Sequence, residues 1–233
     1  MAADIVPELL DKIQRDFNTG LSKSSKIAVI RKAMDDGLAT YADANEYAQE
    51  VGVILAQSFK KYITPETLPD GRMYFNIADR ILNQTLGNNH ELIATASAEI
   101  QTQLNTAAGI GIKGIKVNLN KDRIKGLVDR VSSEIEFERI AWILDEPVIN
   151  FSQSIVDDTI KANTEFHGKS GLPAKVTRIP EAGACKWCRE VAGEYAYPNV
   201  PDDVYRRHER CRCIVDYDPG TGKTQNVWSK RWN

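Results

Sequence analysis

Cysteine is absent from this chain before residue 185, and all four cysteines fall between Cys185 and Cys213. Histidine is nearly as scarce, with only His90, His167 and His208. So few histidines leave no arguable Ser/His/Asp set. No apolar run approaches the ~20 residues that a membrane-spanning helix needs. Charge of one sign is not in large excess: the formal net charge is -2, which argues against a bulk polycation or polyanion. Met1-Ala2-Ala3-Asp4 carries no basic region followed by an apolar stretch, so no secretory signal is expected. The expected setting is a reducing cytoplasm, where clustered cysteines read as metal ligands before disulfides.

What is present is unevenly distributed. Residues 1–167 hold 18 Lys+Arg against 24 Asp+Glu, and residues 168–233 hold 12 against 8. The cysteine-bearing end is basic and the rest is acidic. Hydrophobic residues make up 42% of the 233, enough to bury a core in one large domain or two small ones.

Residues 1–165 read as successive helices. Pro7 suits the first turn of a helix with Leu9, Leu10, Ile13 and Phe17 on one face, and Gly20 reads as its stop. Ser25 is placed to cap a second helix carrying Ile27, Ile30 and Met34, ended by Gly37. Tyr47, Val51, Ile54, Leu55 and Phe59 recur at helical spacing. Pro69-Asp70-Gly71 is a turn. Helices are expected over 72–86, 89–107 and 120–145, with Pro147 as a kink or break and a last helix reaching about Phe166. The glycines at 109, 111 and 114 mark a loop or short extended segment. At Gly168-Lys-Ser-Gly171-Leu-Pro173 the character changes. Lys175–Ile179 and Cys213–Tyr217 are β-prone. The expected fold is mainly α: a helical region over 1–167, then a small α+β module over 168–233 with a metal staple.

The staple would be built from Cys185-Lys-Trp-Cys188 and, nineteen residues later, His208-Glu-Arg-Cys211-Arg-Cys213. Two cysteines two residues apart form a turn whose sulfurs face one point. A structural zinc site takes four such ligands tetrahedrally. Cys185, Cys188, His208, Cys211 and Cys213 are five candidates for four places. On a helical turn His208 and Cys211 share a face; in an extended segment Cys211 and Cys213 do. The bland alternative is that these cysteines are small buried hydrophobes. A disulfide formed outside the cell is a third option. Soft ligands favour Zn²⁺ over magnesium or calcium. Arg206, Arg207, Arg210 and Arg212 crowd the same segment. They read either as a solvated rim around the thiolates or as contacts to nucleic-acid phosphates. Trp187 either shields the metal or stacks on a partner. The tail Trp228-Ser-Lys-Arg231-Trp232 either anchors in a partner's groove or docks on its own domain.

Other motifs fail on context. Gly109-x-Gly111-x-x-Gly114 follows a helix, not the strand that a dinucleotide fingerprint needs. Gly220-Thr-Gly222-Lys223-Thr224 resembles a phosphate loop but has Tyr217 where the first glycine belongs. A zinc deaminase would place its His before the Cys pair. Asp35/Asp36 and Asp157/Asp158 lie on expected helices, where a solvated face is the simple reading.

The cysteine segment resembles the C-terminal part of the Mu F-like minor head proteins of tailed bacteriophages. The carriers are Cys185-x-x-Cys188, Tyr197-Pro198 and His208-Glu-Arg-Cys211-Arg212-Cys213, with Glu209 where the family often has Pro. The resemblance implies a non-enzymatic virion component in few copies, a minor capsid protein inside the phage head near the portal. It would enter the head during assembly in the host cytoplasm. Its implied partners are the portal protein or packaged double-stranded DNA, and the major capsid or scaffold protein. The competing readings are a zinc-stapled DNA nuclease using His208 or His167 as base, and a DNA-binding regulator.

Overall fold

The computed structural model describes residues 4–220. The tail from Trp228 to Trp232 and most of the Gly220–Thr224 motif lie outside the described residues.

The first helix, α1 (Val6–Lys23), buries Val6, Leu9, Ile13, Phe17 and Leu21, the spacing of one helical face. Gly20 does not stop it. A Cβ at Gly20 would sit 2.4 Å from Ile54 Cγ2, so the glycine is there for close approach to the third helix. The cap between α1 and α2 (Ser25–Asp35) is Ser24, whose hydroxyl accepts from the Ile27 N–H at 3.3 Å. Gly37, at φ +68°, ends the α2 turn as expected. Helix α3 (Tyr41–Tyr62) opens on a capping box between Thr40 and Asp43.

Residues 75–107 form one unbroken helix, α4 (Phe75–Ala107), where the sequence suggested an interruption near Gly87-Asn88. Both flanking turns bury apolar side chains, and Asn88 donates to Gln14 Oε1 at 2.9 Å, so the chain has no reason to turn there. The opposite occurs after α5 (Lys121–Val131), which ends well before residue 145. Ser132 and Ser133 bond back to carbonyls of the last turn, and Glu134, Glu136 and Glu138 would crowd the negative end of a longer helix. Short 3₁₀ turns at Phe137–Arg139 and Ala141–Leu144 lead into α6 (Glu146–Lys169), with Pro147 in its first turn.

Helices α3 and α6 form the central pair. At Gly52 a Cβ would lie 2.9 Å from the Ile149 Cα, so the two backbones cross within glycine distance. Among the described residues no helix is long and apolar enough to cross a membrane.

A three-stranded antiparallel sheet follows, β1 (Lys175–Ile179), β2 (Gly193–Ala196) and β3 (Ile214–Asp218), in the order β2-β1-β3. A short helix, α7 (Lys186–Glu190), lies between β1 and β2. The chain is therefore mainly helical with a small sheet at its C-terminal end, as its sequence suggested. The inner face of the sheet adds Val176, Val215 and Tyr217 to the same apolar cluster that holds the helices together. One core thus runs through both halves. Tyr217 also meets His167 of α6 at its Nδ1, and His167 lies 3.5 Å from Asn105 of α4. Burial holds the His167 and His90 imidazoles below their ordinary value.

Candidate metal centre

Apart from that core, Cys188, Cys211 and Cys213 form a second, separate buried cluster, flanked by Ala184 and Trp187. Cys185 caps α7: its sulfur accepts the Cys188 N–H at 3.4 Å. That turn aims both sulfurs at one point, as the Cys-x-x-Cys spacing implied. Residues 208–211 form a tight turn in which the Cys211 N–H donates to the His208 carbonyl at 3.1 Å. Arg210 sits at φ +56° within it. Cys213 then heads into β3.

The five predicted ligands come together. His208 Nε2 lies 3.3 Å from the Cys185 sulfur and 2.9 Å from that of Cys188. The Cys188 and Cys211 sulfurs are 3.8 Å apart. Two sulfurs bound at ~2.3 Å to one tetrahedral ion would be separated by about that distance. The donor atoms fall into two triads sharing Cys188, namely Cys185, Cys188, His208 and Cys188, Cys211, Cys213, each with the donor types and spacing that could hold a metal ion.

The imidazole is oriented for ligation. His208 Nδ1 lies 2.6 Å from the Glu209 carbonyl, which can only accept, so Nδ1 carries the proton and Nε2 presents its lone pair to the sulfurs. Trp187 lies edge-on to the His208 ring at 5.7 Å and covers one side of the site.

The most unusual neighbour is Arg178 of β1. Strand alternation turns it inward beside Val176, and it is 1% exposed. It donates from Nη1 to the Val204 carbonyl and from Nη2 to the Cys211 sulfur at 3.3 Å, with the Cys188 sulfur at 4.0 Å. Its Cζ lies over the Trp187 ring at 5.4 Å. Sequence reading missed it, since nothing marks one Arg in a β-prone run as inward-facing. The only signal available was period-2 alternation with Val176.

Without a metal, the thiols compete for protons. A Cys211 S–H donated to Cys213 would bring Cys213 down to about 7 and, with burial, push Cys211 up to about 12. The Arg178 N–H on the Cys211 sulfur favours negative charge there instead. We favour charge on Cys211, because a buried guanidinium left uncompensated costs more than a proton shared between two thiols.

The four arginines divide. Arg206 and Arg210 are exposed and pair with Asp203 and Glu209 at the surface. Arg207 is not a solvated or phosphate-facing residue. It forms a buried pair with Asp157, at 3% and 0% side-chain exposure, and also donates to Asn45 Oδ1 at 2.9 Å and the Cys213 carbonyl at 3.0 Å. Arg212 donates from Nη2 to both carboxylate oxygens of Glu146, at 3.0 and 2.9 Å. These two arginines tie the cysteine segment to α6 and α3, Arg207 from a buried position and Arg212 with 18% of its side chain still exposed. Asp157, read from sequence as a solvated carboxylate, is the buried end of that tie, and Asp158 beside it pairs with Arg123 at 3.0 Å. Searches against protein-family models, curated proteins and solved structures return no match for this chain.

Proposed function

We propose that this chain is a minor structural protein of a tailed-phage head, and that its cysteine cluster holds one Zn²⁺ as a structural staple. The observation that carries the reading is the meeting of Cys185-x-x-Cys188 with His208-x-x-Cys211-Arg-Cys213 in two donor triads joined at Cys188, beside a helical body. These are the residues that carry the Mu F-like resemblance, and their donors suit zinc. In this reading the protein sits inside the head in few copies. Its partner there is the portal or packaged DNA, with the major capsid or scaffold protein as its neighbour in the head.

A nuclease is less well supported. Its base would be His208 or His167. His208 turns its free nitrogen toward two sulfurs, and His167 is buried against Tyr217. A DNA-contacting role would fall first to the exposed Arg206 and Arg210, since Arg207 is buried and Arg212 is engaged by Glu146. Genome context tests the proposal: portal, terminase and scaffold genes are expected beside this one, and a cellular operon without them would overturn the phage reading. Incubation with plasmid DNA and Mg²⁺ should give no cleavage. Cleavage lost in a folded His208→Ala variant would instead favour the enzyme.

A further inference from the structure

We infer that Arg178 neutralises the metal centre from inside the protein, and that the ion it balances is held by Cys185, Cys188, His208 and Cys211, leaving Cys213 as a free thiol. The inference rests on the reading of the cluster as a metal centre and goes beyond it to the ligand set and its charge.

A guanidinium 1% exposed needs negative charge nearby, yet among the described residues no carboxylate pairs with Arg178. What it does touch is sulfur, Cys211 at 3.3 Å and Cys188 at 4.0 Å. Three thiolates and a neutral imidazole around a divalent ion carry a net charge of -1. The guanidinium brings that to zero, as burial demands. Four thiolates would leave an excess negative charge.

The same residue argues against two ions bridged by Cys188, which the two triads would otherwise allow. A second divalent ion among Cys188, Cys211 and Cys213 would stand against a fixed buried cation. Cys211 is the better fourth ligand. Its sulfur is a tetrahedral edge from Cys188, and it closes the turn that begins at His208. Cys213 sits one step into the strand, its carbonyl held by Arg207.

The test uses the full chain loaded with Co²⁺ and Zn²⁺, measuring metal content, affinity by chelator competition and the cobalt–thiolate charge-transfer band. Helical circular dichroism serves as the fold control. One ion per chain is expected, lost in Cys211→Ser and kept in Cys213→Ser. Arg178→Gln should weaken binding by about 10–100-fold, as loss of a residue hydrogen-bonded to a ligand typically does. It should also move the charge-transfer band, which a purely structural role would not do. Wild-type chain that binds no metal would overturn the metal reading and this inference together. Metal kept in Cys211→Ser but lost in Cys213→Ser would overturn the ligand set alone. Unchanged affinity and band in Arg178→Gln would overturn the role of Arg178 alone. Should Arg178→Gln fail to fold, Arg178→Lys decides: it keeps the charge but loses the forked N–H groups. Metal affinity close to wild type supports neutralisation by charge, and weakening as large as that expected of Arg178→Gln overturns it.

Discussion

From Val6 to Ile160 the chain buries apolar side chains at helical intervals, whereas from Pro180 to Cys213 the buried residues are three cysteines, Val204 and Tyr205. The two regions differ in how stability is distributed. In the helices each contact is one of many, so a loss is felt in increments. In the cysteine segment the proposed metal staple and two arginine ties would carry most of the order. Failure there should be abrupt, yet local, because Val176, Val215 and Tyr217 of the sheet belong to the helical core.

The largest effect should come from removing the metal. Chelation or Cys188→Ser would forfeit a binding energy that runs to about 10 kcal/mol or more in zinc-finger peptides. Hydrogen exchange should show residues 181–213 opening while β1, β3 and the helices stay protected. Collapse of the helical signal as well would break the distinction between the regions. Next is Arg207→Ala, which strands the buried Asp157 carboxylate and should cost about 3–5 kcal/mol in denaturant unfolding. Removing both charges, with Asp157→Asn added, should recover part of that loss. Phe59→Ala, in the middle of the helical core, should cost a similar 3–5 kcal/mol but leave metal content unchanged.

A smaller effect concerns pH. His167 and His90 titrate below their ordinary value of 6.5 in the folded chain because burial disfavours the imidazolium. The unfolded chain therefore binds protons more readily. Their contribution to stability is complete above about pH 6.5 and is lost as pH falls, by about 1.4 kcal/mol per unit of depression. Asp158 and Asp216, raised by burial, act in the opposite sense at lower pH. Comparing His167→Gln with wild type between pH 7 and 5.5 isolates the histidine: the variant should show the shallower slope. The smallest effect is the α3 cap, where Thr40→Ala should cost about 1 kcal/mol.

Much of the helical body was legible because burial enforces a 3.6-residue period. Where the reading slipped, the cause was tertiary. Gly20 is a glycine because Ile54 needs its space, not because the helix ends there. The stretch after Val131 keeps apolar residues at helical intervals, yet serines and glutamates end the helix, and Ile135 is left 74% exposed. Strand β2 escaped notice because Gly193–Ala196 lies at a sheet edge with little buried on either face. At the candidate centre the Cys and His residues that cluster were legible from spacing. Arg178, Asp157 and Glu146 were not, since each acts through a partner distant in sequence.

The central claim is that one divalent ion organises residues 181–213 through these cysteines and His208. Metal analysis of the purified full chain, set beside Cys188→Ser, tests it most directly. The account predicts about one zinc per wild-type chain and none in the variant. A wild-type chain free of metal, or a Cys188→Ser variant that keeps its zinc and its protection over residues 181–213, would contradict it.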